Sequence, residues 1–409
     1  MTEQLKGSVT SLVEESKVYP LEKLASLKRG GKSLTIGLPK ETSTYENRIG
    51  LTPKGVETLT NQGHKVLVQC GSGLSSNFSD EDYSSAGANI TNDAKEVFKS
   101  DVVIKVEYPT TDEIGWLSPG NTLISTIHRH EKNVKRRLCM LNEKKITAIG
   151  YELLEDNGGG LPIVRAMSEI AGSVVMPLAA DYLAVGKGHA GVILGGITGV
   201  PPTNIVIIGA GTVTEYAART ALGFGASVKV FDQHLYKLHR LKQILSASIF
   251  TSTIDNVALR KALEEADVVI AAVRSERGIL EKVITEDMVR AMKKGAVIID
   301  VSIDEGGIVE TSRPTNLKNP VFVEHDVIHY CVPNIASLVP RTSTKVLSNI
   351  FVPILSGISK VGGVDQMIYQ NSWFMKGVYA YKGFLTNVHL AEKFRMNYKD
   401  LNLLMAARF

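Results

Sequence analysis

The stretch "NIVIIGAGTVTEYAARTALGFGASVKVFD", Asn204 to Asp232, decides how this chain is read. The apolar run Ile205 to Ile208 leads straight into Gly209-Ala210-Gly211, a helical pattern follows, and a second β-branched run ends on Asp232. A strand that feeds a glycine turn beneath a helix N-terminus brings backbone N–H groups against a pyrophosphate. Gly209 would make the tight turn and Gly211 the close approach, with Thr212 and Val213 completing the loop. Asp232, 21 residues after Gly211, would accept hydrogen bonds from ribose hydroxyls and repel a 2′-phosphate, which favours NAD over NADP. The third glycine of such loops is Thr214 here. It should push the helix out slightly without removing the phosphate site, and a domain of this shape that has lost its ligand is the competing reading.

Two hundred residues precede this loop, and they carry the same alternation. From Ser33, short apolar runs "SLTIGLP", "HKVLVQC", "DVVIKV", "NTLISTIH" and "KITAIGYE" read as strands with helices such as "TPKGVETLTNQG" between them. "MSEIAGSVVMPLAADYLAVGKG", Met167 to Gly188, reads as a long connecting helix ended by glycine. Beyond it "NIVIIGAG", "ASVKVFD", "ADVVIAAV" and "AVIIDVSID" repeat the pattern. After "NPVFVEHDVIHYCVPNI" no strand of comparable strength is legible, and the remainder is helical in pattern. The expected fold class is α/β: two doubly wound Rossmann-like domains with parallel sheets, linked by long helices. Residues 33–165 with 336–409 would form one discontinuous domain and 166–335 the nucleotide domain, with 1–32 an N-terminal extension. That extension would be a helix lying on the body or on a neighbouring subunit, or a disordered tail.

Composition excludes several classes. The 409 residues, 44% hydrophobic and 22% charged, are enough for two or three domains with cores of their own. A formal charge of +4, from interspersed groups, is too mild to argue for nucleic acid or a membrane surface. Three scattered cysteines, Cys70, Cys139 and Cys331, without CxxC spacing indicate neither a disulfide framework nor a metal site. A reducing cytoplasm suits them. The N-terminus lacks an apolar core of signal-peptide type, and no stretch of about 18 apolar residues is expected to span a bilayer.

Ligands of open α/β sheets lie outside the carboxyl ends of the strands. There Lys105 interrupts "DVVIKVEYP", His128 closes "NTLISTIH", and Arg48 sits in the loop "ENRIGLTP". Singly, each has a plain reading: a snorkelling lysine, a helix-capping histidine, a solvated arginine. Their shared edge is what makes them a candidate cleft. From the other half, "AVIIDVSIDEGG" would set Asp304 beyond its strand, facing the nicotinamide position, with Asp300 buried in the strand. Such a pocket suits a small carboxylic acid: arginine forks a carboxylate, lysine polarises a carbonyl or imine, and histidine or aspartate moves protons.

Together these residues resemble the alanine dehydrogenase and pyridine nucleotide transhydrogenase α-subunit family, from Leu34 to about Leu355. The resemblance is carried by "GLPKETSTYENRIGLTPKGVETLTNQGHKV", "MSEIAG", "GVILGGITGVPP", "VIIGAGT", "VIIDVSIDEGG" with "SRPT", and "HYCVPNIASLVPRTST". It implies that Arg48 and Lys105 hold the substrate carboxylate and carbonyl, that His128 is the proton donor and acceptor, and that Asp304 activates water or ammonia. It also sets Asn334 near nicotinamide and substrate, places Met167 at the cleft wall, and implies a homohexamer. The transhydrogenase branch carries an Arg-Gln-Asp-containing docking loop, and "STIHRHEKNVKRRL" lacks it, so the dehydrogenase branch is the closer match. The departures are Thr214, Gly50 where the family usually has alanine, the Arg129-His130 pair after His128, and the long extension.

The leading expectation is reversible deamination of L-alanine by NAD and water to pyruvate, ammonium and NADH. Hydride leaves Cα, water attacks the resulting imine, and one group of near-neutral pKa carries the protons. An opine- or saccharopine-type dehydrogenase would use the same parts to join a keto acid to an amino acid. A non-catalytic NAD-binding module of a transhydrogenase-like assembly is the alternative of a different class.

Overall fold

The computed structural model describes residues 31–43, 45–127, 133–156, 158–185, 190–274 and 280–406. The N-terminal extension expected over 1–32 therefore lies almost wholly outside the described residues.

The apolar runs become strands of two sheets, which further short strands extend at their edges. In the first half these are β1 (Thr35–Leu38), β2 (Lys65–Gln69), β3 (Asn89–Thr91), β4 (Val102–Ile104), β5 (Thr122–Ser125) and β6 (Thr147–Gly150). The second half supplies β7 (Asn204–Ile208), β8 (Ser227–Phe231), β9 (Phe250–Ser252), β10 (Val268–Ala271), β11 (Val297–Asp300), β12 (Val321–Glu324) and β13 (Val327–Tyr330). The C-terminal region adds β14 (Val378–Tyr381) and β15 (Phe384–Leu385).

One sheet runs β15-β14-β6-β5-β4-β1-β2-β3, the other β12-β13-β11-β10-β7-β8-β9. All pairings among β1 to β6 are parallel, as are those joining β7 to β11 and β13. The strand order reverses between β1 and β4 in one sheet and between β7 and β10 in the other, and these two switch points open the crevices where ligands of such sheets bind.

Alternate residues of each strand serve opposite faces. In β7, Ile205 and Ile207 join one apolar cluster and Val206 and Ile208 another. The first sheet divides likewise, with Ile36 and Leu38 on the face covered by Leu347, Phe351 and Leu355, and Val103, Leu123 and Ala148 on the other.

Three helices matter for the site: α1 (Pro162–Leu183), α2 (Thr212–Gly223) and α3 (Pro340–Lys360). Helix α1 begins five residues before the expected Met167, because Pro162 at its first turn has its φ pre-set. It is, by length and composition, apolar enough to cross a membrane, contrary to the expectation of no such stretch. Here Val175, Met176 and Ala179 are buried against the second sheet. Gly172 lets α1 and α2 touch backbone to backbone: a Cβ there would lie 2.3 Å from the Val213 carbonyl oxygen and 3.1 Å from the Ala217 nitrogen.

The expectation of an all-helical C-terminal part is corrected. Strands β14 and β15 form an antiparallel pair, and β14 lies antiparallel on β6. The turn between them uses Lys382 and Gly383, both at positive φ. The sheets are thus mostly parallel, with antiparallel strands at one edge of each.

Candidate active site

At the second switch point the loop has the geometry its glycines predict. Gly209 adopts φ +98°, and a Cβ on it would sit 2.3 Å from the carbonyl oxygen of Ala272, which follows β10. Gly211 is the N-cap of α2, no side chain caps that helix, and the space where its Cβ would be is open. Thr212 and Val213 form the first turn, half-buried. Thr214 is fully buried and donates its hydroxyl to the Gly209 carbonyl at 2.6 Å, so the residue in the third glycine's position is satisfied within the loop. Asp232, just past β8, accepts from the Ala210 amide at 2.6 Å and from the His234 amide at 2.7 Å, with the His234 ring at 3.0 Å. A positive-φ turn, an uncapped helix N-terminus and a carboxylate at the next strand end form a cradle that fits a dinucleotide.

At the first switch point two buried cations stand where the sequence puts them, and neither is unpaired. Arg48 is 7% exposed, and its Nε and Nη2 donate to the two oxygens of Glu46 at 2.8 and 2.6 Å. Its Nη1 lies 3.3 Å from the sulfur of Met167 on α1. Burial works against the charge of Arg48, but Glu46 outweighs it and holds the guanidinium more firmly protonated than in water. Lys105 follows β4, 1% exposed, with Nζ 2.5 Å from Glu41 and 3.5 Å from Glu113. Burial opposes its charge too, and Glu41 raises its pKa again. Glu41 is itself pushed up to about 7 by burial, with Lys105 pulling the other way. The lysine therefore stays charged through neutral pH while Glu41 exchanges its proton there. Tyr151 lies near Arg48: its hydroxyl donates to the Val106 carbonyl at 2.8 Å, and its ring packs on Phe351.

The two halves meet at Asn334. Asp304 sits in the 3-10 turn after β11, exposed, and accepts from the Asn334 amide at 3.2 Å. The Asn334 side chain donates to Glu46 at 2.8 Å. A continuous chain of contacts thus runs from Asp304 through Asn334 and Glu46 to Arg48 and Met167. Asp300 ends β11, buried, and accepts from the Ser302 amide at 3.0 Å. His128 lies outside the described residues, as do Arg129 and His130. Gly50 has a local reason: an alanine Cβ there would come within 2.6 Å of the Ile104 side chain.

Sequence reasoning passed over Glu41, Glu46 and Glu113. A signal was present in "KETSTYEN", since a cation destined for burial needs a carboxylate close by. It could not be read without knowing that Arg48 and Lys105 are both buried.

Both halves of the chain match models of one family. Residues 37–171 match the "Alanine dehydrogenase/PNT, N-terminal domain" and residues 175–388 the "Alanine dehydrogenase/PNT, C-terminal domain". The chain is 36% identical over 369 residues to the "Alanine dehydrogenase 2" of Staphylococcus aureus strain USA300, covering 90% of this chain and 98% of that protein. Against the alanine dehydrogenase of Staphylococcus saprophyticus it is 36% identical over 370 residues, 90% of this chain and 99% of that one. A solved L-alanine dehydrogenase superposes with a TM-score of 0.82 at 31% identity, over 88% of this chain and 99% of the other. A transhydrogenase from Sinorhizobium meliloti shares the fold, with a TM-score of 0.73 at 20% identity over 87% of this chain and 99% of that one. The chain belongs to the alanine dehydrogenase/PNT family.

Proposed function

We propose that this protein is an NAD-dependent alanine dehydrogenase, interconverting L-alanine with pyruvate and ammonium. The observation that carries the reading is the pair of buried cations, Arg48 and Lys105, at one switch point, with Arg48 joined through Glu46 and Asn334 to Asp304 in the turn after β11 of the second sheet. The cradle of Gly209, Gly211, Thr212, Val213 and Asp232 would hold the dinucleotide, with Asp232 at the adenosine ribose. When bound, NAD would accept hydride from the substrate Cα.

The chain's own residues would do the rest. Arg48, through Nη1, and Lys105 would bind carboxylate and carbonyl, in a pocket closed by Met167. Buried and already paired, they are pre-oriented, so little reorganisation is needed when the substrate arrives. His128 would carry the proton at the carbonyl oxygen, and Asp304 would hold water or ammonia, with Asn334 beside the nicotinamide. Residues 33–165 with 336–409 would form the substrate domain and 166–335 the nucleotide domain, in a cytoplasmic homohexamer.

A module that only binds NAD within a transhydrogenase-like assembly, or an opine- or saccharopine-type dehydrogenase, would keep the same cradle. NADH formation against a panel of amino acids separates the three. The expected result is turnover with L-alanine, cut roughly 10²–10⁴-fold by His128→Ala with NAD binding nearly intact. Near-normal turnover in that variant would sink the assignment of His128, and no turnover with any amino acid would favour the binding module.

A further inference from the structure

Glu46 does more than neutralise a buried arginine. Its carboxylate accepts from Arg48 Nε and backbone N at 2.8 Å each and from Arg48 Nη2 at 2.6 Å, all from the first sheet's own loop. It also accepts from Asn334 Nδ2 at 2.8 Å and from Ser337 Oγ at 3.5 Å, both from the segment that follows β13 of the second sheet. The two-nitrogen face of Arg48 is therefore given over to Glu46, and Nη1 is the part turned toward Met167. Asn334 is held at φ +60°, a left-handed conformation that asparagine tolerates better than most residues. From there its amide reaches Asp304 while its side chain reaches Glu46. One residue thus contacts the Asp304 carboxylate, in the turn after β11 of the second sheet, and the Glu46 carboxylate that pairs with Arg48. Because Glu46 is buried, it has no water to replace a lost donor, so a shift of the 334 segment must be passed on to Arg48.

We propose that Glu46 is a positioning residue that latches Arg48 to Asn334, so that filling the nucleotide half of the cleft raises the affinity of the other half for a small carboxylate. The identity of the two ligands rests on the dehydrogenase reading; the latch itself rests on the contacts. Coupling of this kind is reciprocal, so it can be measured from either ligand.

The test uses the full-length protein and oxamate, an unreactive analogue of pyruvate. Its affinity is measured by calorimetry with and without saturating NADH, and NADH binding alone is followed by fluorescence. In the parent protein NADH should tighten oxamate by a factor of about 5–150. Asn334→Gly keeps the left-handed backbone accessible and deletes only the side-chain donor. It should bring that factor to within about twofold of unity. Glu46→Gln should abolish the factor and weaken oxamate about tenfold in either state. If Glu46→Gln does not fold, Asn334→Gly decides alone.

A purely structural Glu46 would lower the melting temperature of its variant and leave the factor at the parent value. That result, or a parent protein without coupling, overturns the latch. A parent that binds neither NADH nor oxamate overturns the dehydrogenase reading as well. Normal NADH formation from alanine with an unaltered factor in Asn334→Gly removes the latch alone.

Discussion

Gly172→Ala tests whether the contact between α1 and α2 sets the position of the phosphate loop. An alanine Cβ would lie 2.3 Å from the Val213 carbonyl oxygen, 2.8 Å from Tyr216 Cβ and 3.1 Å from the Ala217 nitrogen. None of these is the far end of a flexible side chain, so the methyl can be accommodated only by moving a helix. Restoring an ordinary contact requires a separation of about 1 Å between α1 and α2. Alanine gains about 1 kcal/mol over glycine in helix preference. Overpacking costs about 1–3 kcal/mol, and parting the helices also loosens the buried Val175 and Ala217. The net effect should be a destabilisation of about 1–2 kcal/mol, or a melting temperature lower by roughly 2–8 °C for a domain of this size.

A second effect follows at the cradle. Val213 and Thr212 are the opening turn of α2, so a shift of about 1 Å there moves the phosphate-binding amides out of hydrogen-bond range. NADH should bind about tenfold more weakly, or roughly 1.4 kcal/mol. The assays are a thermal melt and a fluorescence titration with NADH. An unchanged melting temperature together with unchanged NADH affinity would refute the reasoning, since it would mean that the helices slide without resistance. A lower melting temperature with unchanged affinity would confine the role of Gly172 to packing.

Two further perturbations address single groups. Glu41, pushed up to about 7 from its ordinary 4.5, binds its proton more tightly in the folded chain than in the unfolded one. Folding stability should therefore fall as pH rises from 4.5 through 7, by on the order of 3 kcal/mol at the limit. Glu41→Gln should flatten that slope in urea denaturation across the same window; a slope equal to the parent's would show that the carboxyl is not held protonated by burial. Thr214→Gly removes a buried hydroxyl bonded to the Gly209 carbonyl and should lower stability by about 1–2 kcal/mol. NAD affinity should change less than about tenfold, and a much larger gain would mean that the threonine impairs the loop.

The nucleotide half was legible because its instructions are local. Gly209, Gly211 and Asp232 lie within one βαβ unit, which the strand Ile205 to Ile208 opens. Strands β3 and β9 were missed because three residues at a sheet edge carry no periodicity of their own. Strand β14 was missed for a different reason: "VYAYKGFL" has a hairpin's alternation and turn, but it lies in a stretch of otherwise helical pattern. In the site, Arg48 and Lys105 could be found as cations at strand ends. Their acids could not be, because Glu41 and Glu46 look like solvated loop carboxylates until Asn334 and Ser337, almost three hundred residues away, close over Glu46.

The pairing of β14 with β6 has a consequence for how the chain comes to be folded. Val378 lies opposite Ile149, so the edge of the first sheet stays open during synthesis until the whole second sheet has left the ribosome. An unpaired, buried-type strand is a template for association with other chains, and the β6 strand, apolar and paired on one side only, with β5, is such a template throughout that interval. The second sheet draws all its strands from Asn204 to Tyr330 and has no such debt to a distant segment. Long-range pairings form slowly, so the later-made sheet should be complete first, and any fragment ending before Val378 exposes an edge that the intact protein never presents.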